Sequence, residues 1–169
     1  MSKSVELRVL AGIRLIAFDV DGVFTDGRFY LSNDGVESKS FSTQDGYGIR
    51  RLLKAGIAVA VISGRASAAV DQRMNELGVQ HVVQGCSDKV AAFEEIRTQL
   101  GIDQTATAYV GDDLPDLPLL KNVAVAFAVA NAVAELRDQC AYVTSARGGS
   151  GAVREICDLI VAAQEQSDG

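Results

Sequence analysis

Leu15-Ile16-Ala17-Phe18-Asp19-Val20-Asp21-Gly22-Val23 is the stretch that decides the fold. Apolar residues run unbroken to Phe18, then two acids follow, separated by one valine and closed by a glycine. A short, near-continuous apolar run of this kind is what a parallel strand covered on both faces looks like. Burying acids beside it needs a reason, because an unpaired carboxylate inside a protein is costly. An aspartate at a strand end can be simply the N-cap of the next helix. That account suits a single acid such as Asp113 or Asp116 better than the pair Asp19 and Asp21 in one apolar strand.

The same pattern recurs outward from this point. Ile57–Ser63, Val79–Gln84, Ala106–Val110 and Val123–Phe127 read as further strands, with Ala141–Thr144 as a last one. Helical spacing predicts helices over Asp45–Lys54, Ser67–Leu77, Asp88–Leu100 and Gly151–Gln164. Gly78 and Gly101 are suited to stop two of them. The tail Gln164–Gly169 reads as frayed. Strand–helix alternation argues for an α/β, doubly wound, Rossmann-like parallel sheet. One segment breaks the rhythm. Gly27–Tyr30 and Val36–Phe41 flank Ser32-Asn33-Asp34-Gly35, a strong turn signal, which predicts a protruding β-hairpin over about 27–41. An isolated ribbon is marginal in water. Phe29, Tyr30, Leu31, Val36 and Phe41 call for burial, so pairing with other subunits is expected over folding back on the same domain.

Composition narrows the class. A chain of 169 residues predicts one domain spanning 1–169. With 48% apolar and 22% charged residues, it has the makings of a packed core and not of a disordered chain. A net charge of −6 counts against a nucleic-acid partner. The longest apolar run, Val123–Ala134, is interrupted by Asn131 and is shorter than the about 20 residues a membrane span requires. Met1–Arg14 has no targeting pattern. Cys86, Cys140 and Cys157 lie far apart and form no CxxC pair, which suits thiols of a soluble cytoplasmic protein. His81, inside an apolar strand, reads as a core or rim histidine and not as a ligand.

In an open α/β sheet, ligands bind beyond the carboxyl ends of the strands. The first strand ends in Asp19-Val20-Asp21-Gly22-Val23, the second in Ser63-Gly64-Arg65, the fourth in Gly111-Asp112-Asp113 followed by Asp116; Lys89 opens the helix after the third. Asp19, Asp21, Asp112, Asp113 and Asp116 would then crowd one rim. Like charges at such distances raise one another's pKa unless a cation compensates. All-oxygen ligation suits Mg²⁺, usually held by one or two carboxylates plus substrate phosphate.

These residues resemble the motifs of the haloacid dehalogenase superfamily of phosphotransferases. Asp19-Val20-Asp21-Gly22-Val23 with Thr25 is similar to the first motif, Ser63 to the second, Lys89 to the third, and Gly111-Asp112-Asp113 with Asp116 to the fourth. The resemblance implies roles. Asp19 is the nucleophile that forms an aspartyl-phosphate, and Asp21 the general acid and then base. Asp19, Asp112 and the Asp21 carbonyl hold Mg²⁺. Ser63 bonds a phosphoryl oxygen, and Lys89 neutralises charge on the nucleophile and the transferring group. Asp113, Asp116 and Thr25 stand behind these groups, the first two orienting waters and Lys89. A cap domain requires a long insertion after the first or second motif, and neither gap has room for one. The chain resembles capless members.

Within those, Phe18–Gly27 and the hairpin, Asp45-Gly46-Tyr47-Gly48-Ile49, Ile62–Arg65, Gly111–Asp116, Ala128–Ala132 and Arg147–Glu155 resemble the 3-deoxy-D-manno-octulosonate (KDO) 8-phosphate phosphatases, over Ile13–Gln164. Phe24, Gln44 and Asn131 depart from the commoner Leu, Arg and Asp at rim positions, which bears on substrate preference. The resemblance implies a cytoplasmic homotetramer built on the hairpins, acting in lipopolysaccharide precursor synthesis. The Gly-rich segment and helix over about 147–164 would reach toward a neighbouring site. A plain loop is the alternative for Gly148–Gly151. Gly64, Arg65, Asn131, Arg147 and Arg154 are the candidate substrate contacts, since a guanidinium fork suits a sugar-acid carboxylate. Two other readings stand beside this one: the same chemistry on a sugar acid such as the nine-carbon KDN 9-phosphate, and a non-catalytic assembly subunit. The complete set Asp19, Asp21, Ser63, Lys89 and Asp112 speaks against the latter.

Overall fold

A computed structural model describes residues 5–167 of the chain. The strands are β1 (Leu15–Phe18), β2 (Tyr30–Leu31), β3 (Glu37–Ser38), β4 (Ala58–Ile62), β5 (His81–Val83), β6 (Thr107–Gly111), β7 (Val125–Ala128) and β8 (Tyr142–Val143). The helices are α1 (Leu7–Ala11), α2 (Thr43–Lys54), α3 (Ala68–Leu77), α4 (Lys89–Gln99), α5 (Leu117–Leu120), α6 (Ala134–Gln139) and α7 (Ala152–Ser167). A six-stranded sheet runs in the order β5-β4-β1-β6-β7-β8, every neighbouring pair parallel. β1 is buried throughout, as its sequence requires, and lies between β4 and β6. The chain steps outward from β1 through β4 to β5, then crosses to β6 on the opposite side of β1. That reversal makes the carboxyl end of β1 the switch point, where a crevice opens.

α7 packs against both α1 and α2, and α4 packs against α5. Ile13, Ile16, Phe18, Tyr109, Val110, Phe127, Ile156 and Ile160 are all buried in one core. Between β1 and α2 the sheet is interrupted only by the β2–β3 ribbon; between β4 and α4 lie only α3 and β5. No cap is inserted at either place.

The boundaries depart from the pattern reading where capping decides them. Ser42 accepts the Asp45 N–H and starts α2 at Thr43, ahead of the expected Asp45. The ribbon is shorter than the hairpin expected over about 27–41: its ladder pairs only Tyr30 with Ser38 and Leu31 with Glu37. α7 runs on to Ser167, so the tail expected to fray from Gln164 is helical, with Gln164 donating from its side-chain amide to the Ile13 carbonyl at 3.1 Å. Asp168 and Gly169 lie outside the described residues. The short helices α1, α5 and α6 carry too few turns to leave a periodic signature. His81 is half-buried in β5. Among the described residues, no helix is long and apolar enough to cross a membrane.

Candidate active site

The strand ends named by the sequence converge at the switch point. A cleft of about 320 Å³ is lined by Asp19, Asp21, Gly27, Ser63, Gly64, Arg65, Lys89, Asp112, Asp113, Pro115 and Asp116. β1, β4 and β6 are adjacent in the sheet, so Asp19, Ser63 and Asp112 emerge side by side.

The turn after β1 is built for close approach. The Val20 carbonyl accepts the N–H groups of Val23, Phe24 and Thr25 at 2.9–3.2 Å. The buried Thr25 hydroxyl accepts the N–H groups of Gly22 and Gly27 at 3.2 and 3.1 Å, which closes the turn from behind. Gly22 has φ +87°, and a Cβ there would also collide with the Asp112 carboxylate. Only glycine satisfies both demands.

Lys89, the first residue of α4, extends into the floor of the cleft. Its ammonium lies 3.0 Å from Asp19 Oδ1 and 2.7 Å from Asp116 Oδ1. Burial pushes the Lys89 pKa down, but Asp19 and Asp116 together hold it above the usual value. Asp116 is buried and fully engaged. Oδ1 also accepts the Tyr109 hydroxyl at 2.7 Å, while Oδ2 accepts the N–H groups of Asp112 and Asp113 at 3.0 and 3.3 Å. Asp113 caps the turn Leu114–Asp116, accepting the Leu114 N–H at 2.8 Å. Asp113 therefore combines its place on the cleft wall with the capping role open to any strand-end aspartate.

Carboxylate oxygens of Asp19, Asp112 and Asp116 lie within 4.8 Å of one another. With Asp116 engaged by Lys89, Tyr109 and two backbone amides, Asp112 and Asp19, whose Oδ1 also faces Lys89, are the carboxylates best placed to hold a cation. Their electrostatics call for one. Burial and the Asp116 charge push Asp19 up to about 6, against the opposing pull of Lys89. Burial and the charges of Asp19, Asp116 and Asp113 push Asp112 up to about 8. Two carboxylates that resist ionising together are a ready site for a hard divalent ion with oxygen ligands, and Mg²⁺ fits the donor set.

Several expected substrate contacts are differently employed. Arg65 reaches the cleft, yet its guanidinium pairs with Glu37 at 2.5 Å, stands 4.0 Å from Asp21 and lies 4.2 Å over the Phe29 ring. Asn131 does not line the cleft. Its amide donates to the Gly22 carbonyl at 3.2 Å and accepts the Gly148 N–H at 2.6 Å, tying the turn after β1 to the Gly-rich segment. Gly148 sits so close to the Gly22 carbonyl that a Cβ would collide with it, so this segment is a packed clamp and not a loose loop. Arg147 is exposed and outside the cleft lining. Arg154 points elsewhere: Nε pairs with Asp158 at 2.8 Å and the guanidinium lies 5.0 Å over the Tyr47 ring. Neither arginine enters this chain's own cleft.

Three residues beside the cleft, Tyr109, Glu37 and Lys39, and a buried one farther off, Asp45, were not named as site residues. Tyr109 looks like any strand aromatic, although a hydroxyl two residues before Gly111 on a buried strand must find a partner. Asp45 is buried and accepts the Arg154 N–H at 2.9 Å, joining α2 to the start of α7; burial raises its pKa. Glu37 and Lys39 come from the ribbon, and no local pattern marks them. Burial pushes Glu37 up, but the Arg65 hydrogen bond and the Lys39 charge hold it below its usual range.

Comparisons with known proteins agree with this geometry. Residues 81–156 match a haloacid dehalogenase-like hydrolase family model. The chain is 46% identical over 159 residues to the 3-deoxy-D-manno-octulosonate 8-phosphate phosphatase KdsC of Yersinia pestis, covering 94% of this chain and 85% of that protein. It is 47% identical over 156 residues to the Escherichia coli K12 KdsC, covering 92% and 83%. The Yersinia pestis crystal structure superposes with a TM-score of 0.93 at 45% identity, over 96% of this chain and 88% of that one. The Moraxella catarrhalis phosphatase in complex with magnesium, phosphate and KDO superposes with a TM-score of 0.92 at 42% identity, over 96% and 93%. With 46–47% identity over more than nine-tenths of its length to these relatives and a superposition at a TM-score of 0.93, the chain belongs to the 3-deoxy-D-manno-octulosonate 8-phosphate phosphatase family of haloacid dehalogenase-like hydrolases.

Proposed function

We propose that the protein is a Mg²⁺-dependent phosphatase that hydrolyses KDO 8-phosphate to KDO and inorganic phosphate. The observation that carries this reading is Asp19 at the carboxyl end of β1, 3.0 Å from the Lys89 ammonium, in an open cleft shared with Ser63 and Asp112. In the proposed first step, an Asp19 oxygen attacks phosphorus and the bond from phosphorus to the sugar oxygen breaks. Asp21 gives its proton to that leaving oxygen. In the second, Asp21 takes a proton from water as the water oxygen attacks phosphorus, and the Asp19–phosphorus bond breaks to free phosphate. Ser63 and the Gly64 backbone line the pocket for the phosphoryl oxygens, and Lys89 offsets their charge. Asp19, Asp112 and the Asp21 carbonyl are the proposed Mg²⁺ holders. When bound, Mg²⁺ supplies positive charge to the carboxylates and the phosphoryl group. Asp116 and Tyr109 hold Lys89 in place.

Substrate recognition beyond the phosphate is assigned here to Arg65, with Arg147 and Arg154 reserved for a neighbouring subunit's cleft, since neither enters its own. The proposed assembly is a homotetramer joined through the ribbons. It is supported by the exposure of Phe29, Tyr30, Leu31 and Val36, with Tyr30 74% and Leu31 65% exposed, and by a cleft that no cap covers. A cytoplasmic setting, in lipopolysaccharide precursor synthesis, is supported by the free thiols of Cys86, Cys140 and Cys157.

Phosphate release from KDO 8-phosphate and from KDN 9-phosphate, each with and without Mg²⁺, tests the reading. Release from the first, dependent on Mg²⁺ and abolished in D19N, is expected. Release from neither overturns phosphatase activity, and preference for the second overturns the substrate.

A further inference from the structure

Lys39 follows β3 directly, yet its side chain is only 1% exposed. A lysine ammonium is almost never buried without anionic partners. It has two here. Nζ is paired with Asp21 Oδ1 and lies 3.4 Å from Glu37 Oε1. Glu37 is in turn held by Arg65 at 2.5 Å. Arg65 engages Glu37 from the other side, which leaves Asp21 Oδ1 as the nearer partner of Lys39.

Asp21 itself is loosely held otherwise. Among the described residues, Lys39 is the one donor in hydrogen-bond contact with its carboxylate, whereas Asp116 accepts from Lys89, Tyr109 and two backbone amides. The Asp21 side chain keeps 22% exposure at the cleft, and Oδ2 stands 4.0 Å from Arg65 Nε. With Oδ1 pinned by a buried cation, Oδ2 is the Asp21 oxygen left without a hydrogen-bond partner among the described residues.

We propose that Lys39 is a positioning residue that fixes the Asp21 carboxyl in the orientation needed for proton transfer to the leaving oxygen. The inference rests on the reading of Asp21 as the acid and base of the reaction. It also assigns a catalytic purpose to the ribbon, which delivers Lys39 and Glu37 to the cleft.

Leaving-group dependence separates this role from a structural one. A sugar phosphate has a poor alkoxide leaving group and needs the acid; p-nitrophenyl phosphate has a good one and does not. D21N, K39M and K39R are compared on both substrates by the single-turnover rate of leaving-group release, which isolates the acid step from the later hydrolysis in which Asp21 acts as base on either substrate. In K39M, release of KDO from KDO 8-phosphate should slow about 10- to 100-fold. Release of p-nitrophenol should slow less than about 3-fold, with calorimetric Mg²⁺ affinity unchanged. K39R should recover part of the loss, and adding K39M to D21N should cause little further loss. An equal loss on both substrates, no loss on either, or weakened Mg²⁺ binding in K39M overturns the role of Lys39. If D21N itself falls equally on both substrates, the Asp21 reading fails, and the proposal fails with it. Should K39M not fold, K39Q, which keeps a hydrogen-bonding tip, is read by the same criteria.

Discussion

Lys89 Nζ stands 3.0 Å from Asp19 Oδ1, and its side chain is 9% exposed. The pair sits where two adjacent parallel strands and the start of α4 meet, and a third group, Asp116, fixes it from behind at 2.7 Å. The nucleophile candidate therefore has a permanent countercharge whose own position is held by the core. K89M should lower kcat by about 100-fold or more, because the site loses charge stabilisation of the transferring group. It should also lower stability by about 3 kcal/mol, since Asp116 is left buried without its cation. Steady-state rates and urea unfolding check both; a K89M enzyme with near-normal kcat refutes the assignment.

Metal removal should expose the strain between Asp19 and Asp112. Their pKa values of about 6 and about 8 lie above the ordinary 3.8. The metal-free folded state therefore binds more protons than the unfolded state across that interval. Their contribution to stability is greatest below the unfolded value and is lost as pH rises through the folded values. In EDTA, Tm should fall by several degrees from about pH 5 to about pH 8. Mg²⁺ should raise Tm more at the upper end, where it meets two carboxylates that repel each other. A Tm in EDTA that climbs over this range contradicts the pairing.

Tyr109 tests the support beneath the site. Its hydroxyl donates to Asp116 at 2.7 Å from a fully buried position, and burial with the Asp116 charge raises its pKa well above the usual value. Y109F removes a hydrogen bond to a charged group and should cost about 2 kcal/mol, or roughly 4–8 °C in Tm. The expected kinetic effect is a lower kcat with KM unchanged, because Lys89 loses one of its restraints. Unaltered Tm and kcat would mean that Asp116 needs no help from the strand.

The ribbon surface makes a prediction about assembly. Tyr30 and Leu31 are 74% and 65% exposed on a ladder of two residue pairs. The chain should sediment as a tetramer, and Y30S/L31S should shift it to smaller species with a loss of stability. A wild-type chain that sediments as a monomer excludes assembly through the ribbon.

Much of the fold and the make-up of the candidate cleft was legible in the sequence. Parallel strands buried on both faces must be short apolar runs, so β1, β4 and β6 announce themselves, and the residues closing them fall at one edge by topology alone. Asp19, Asp21, Ser63, Lys89, Asp112 and Asp116 were found in this way, and the cleft brings them together. The resemblance assigned Asp112 to the metal and Asp116 to Lys89, but the physical basis of that division was not legible in the spacing. Asp116 and Asp112 differ in what surrounds them: Tyr109, Lys89 and two amides saturate one and leave the other. Such satisfaction depends on distances across strands, which spacing along the chain does not encode. The same holds for Asn131 and Arg154, polar groups near the motif that close contacts with Gly148, Gly22 and Asp158 turn away from the cleft. Lys39 is the clearest case. In the sequence it is one lysine in a polar return strand; only the folded ribbon buries it against Asp21, because an ion pair is a relation in space between chain positions 18 apart.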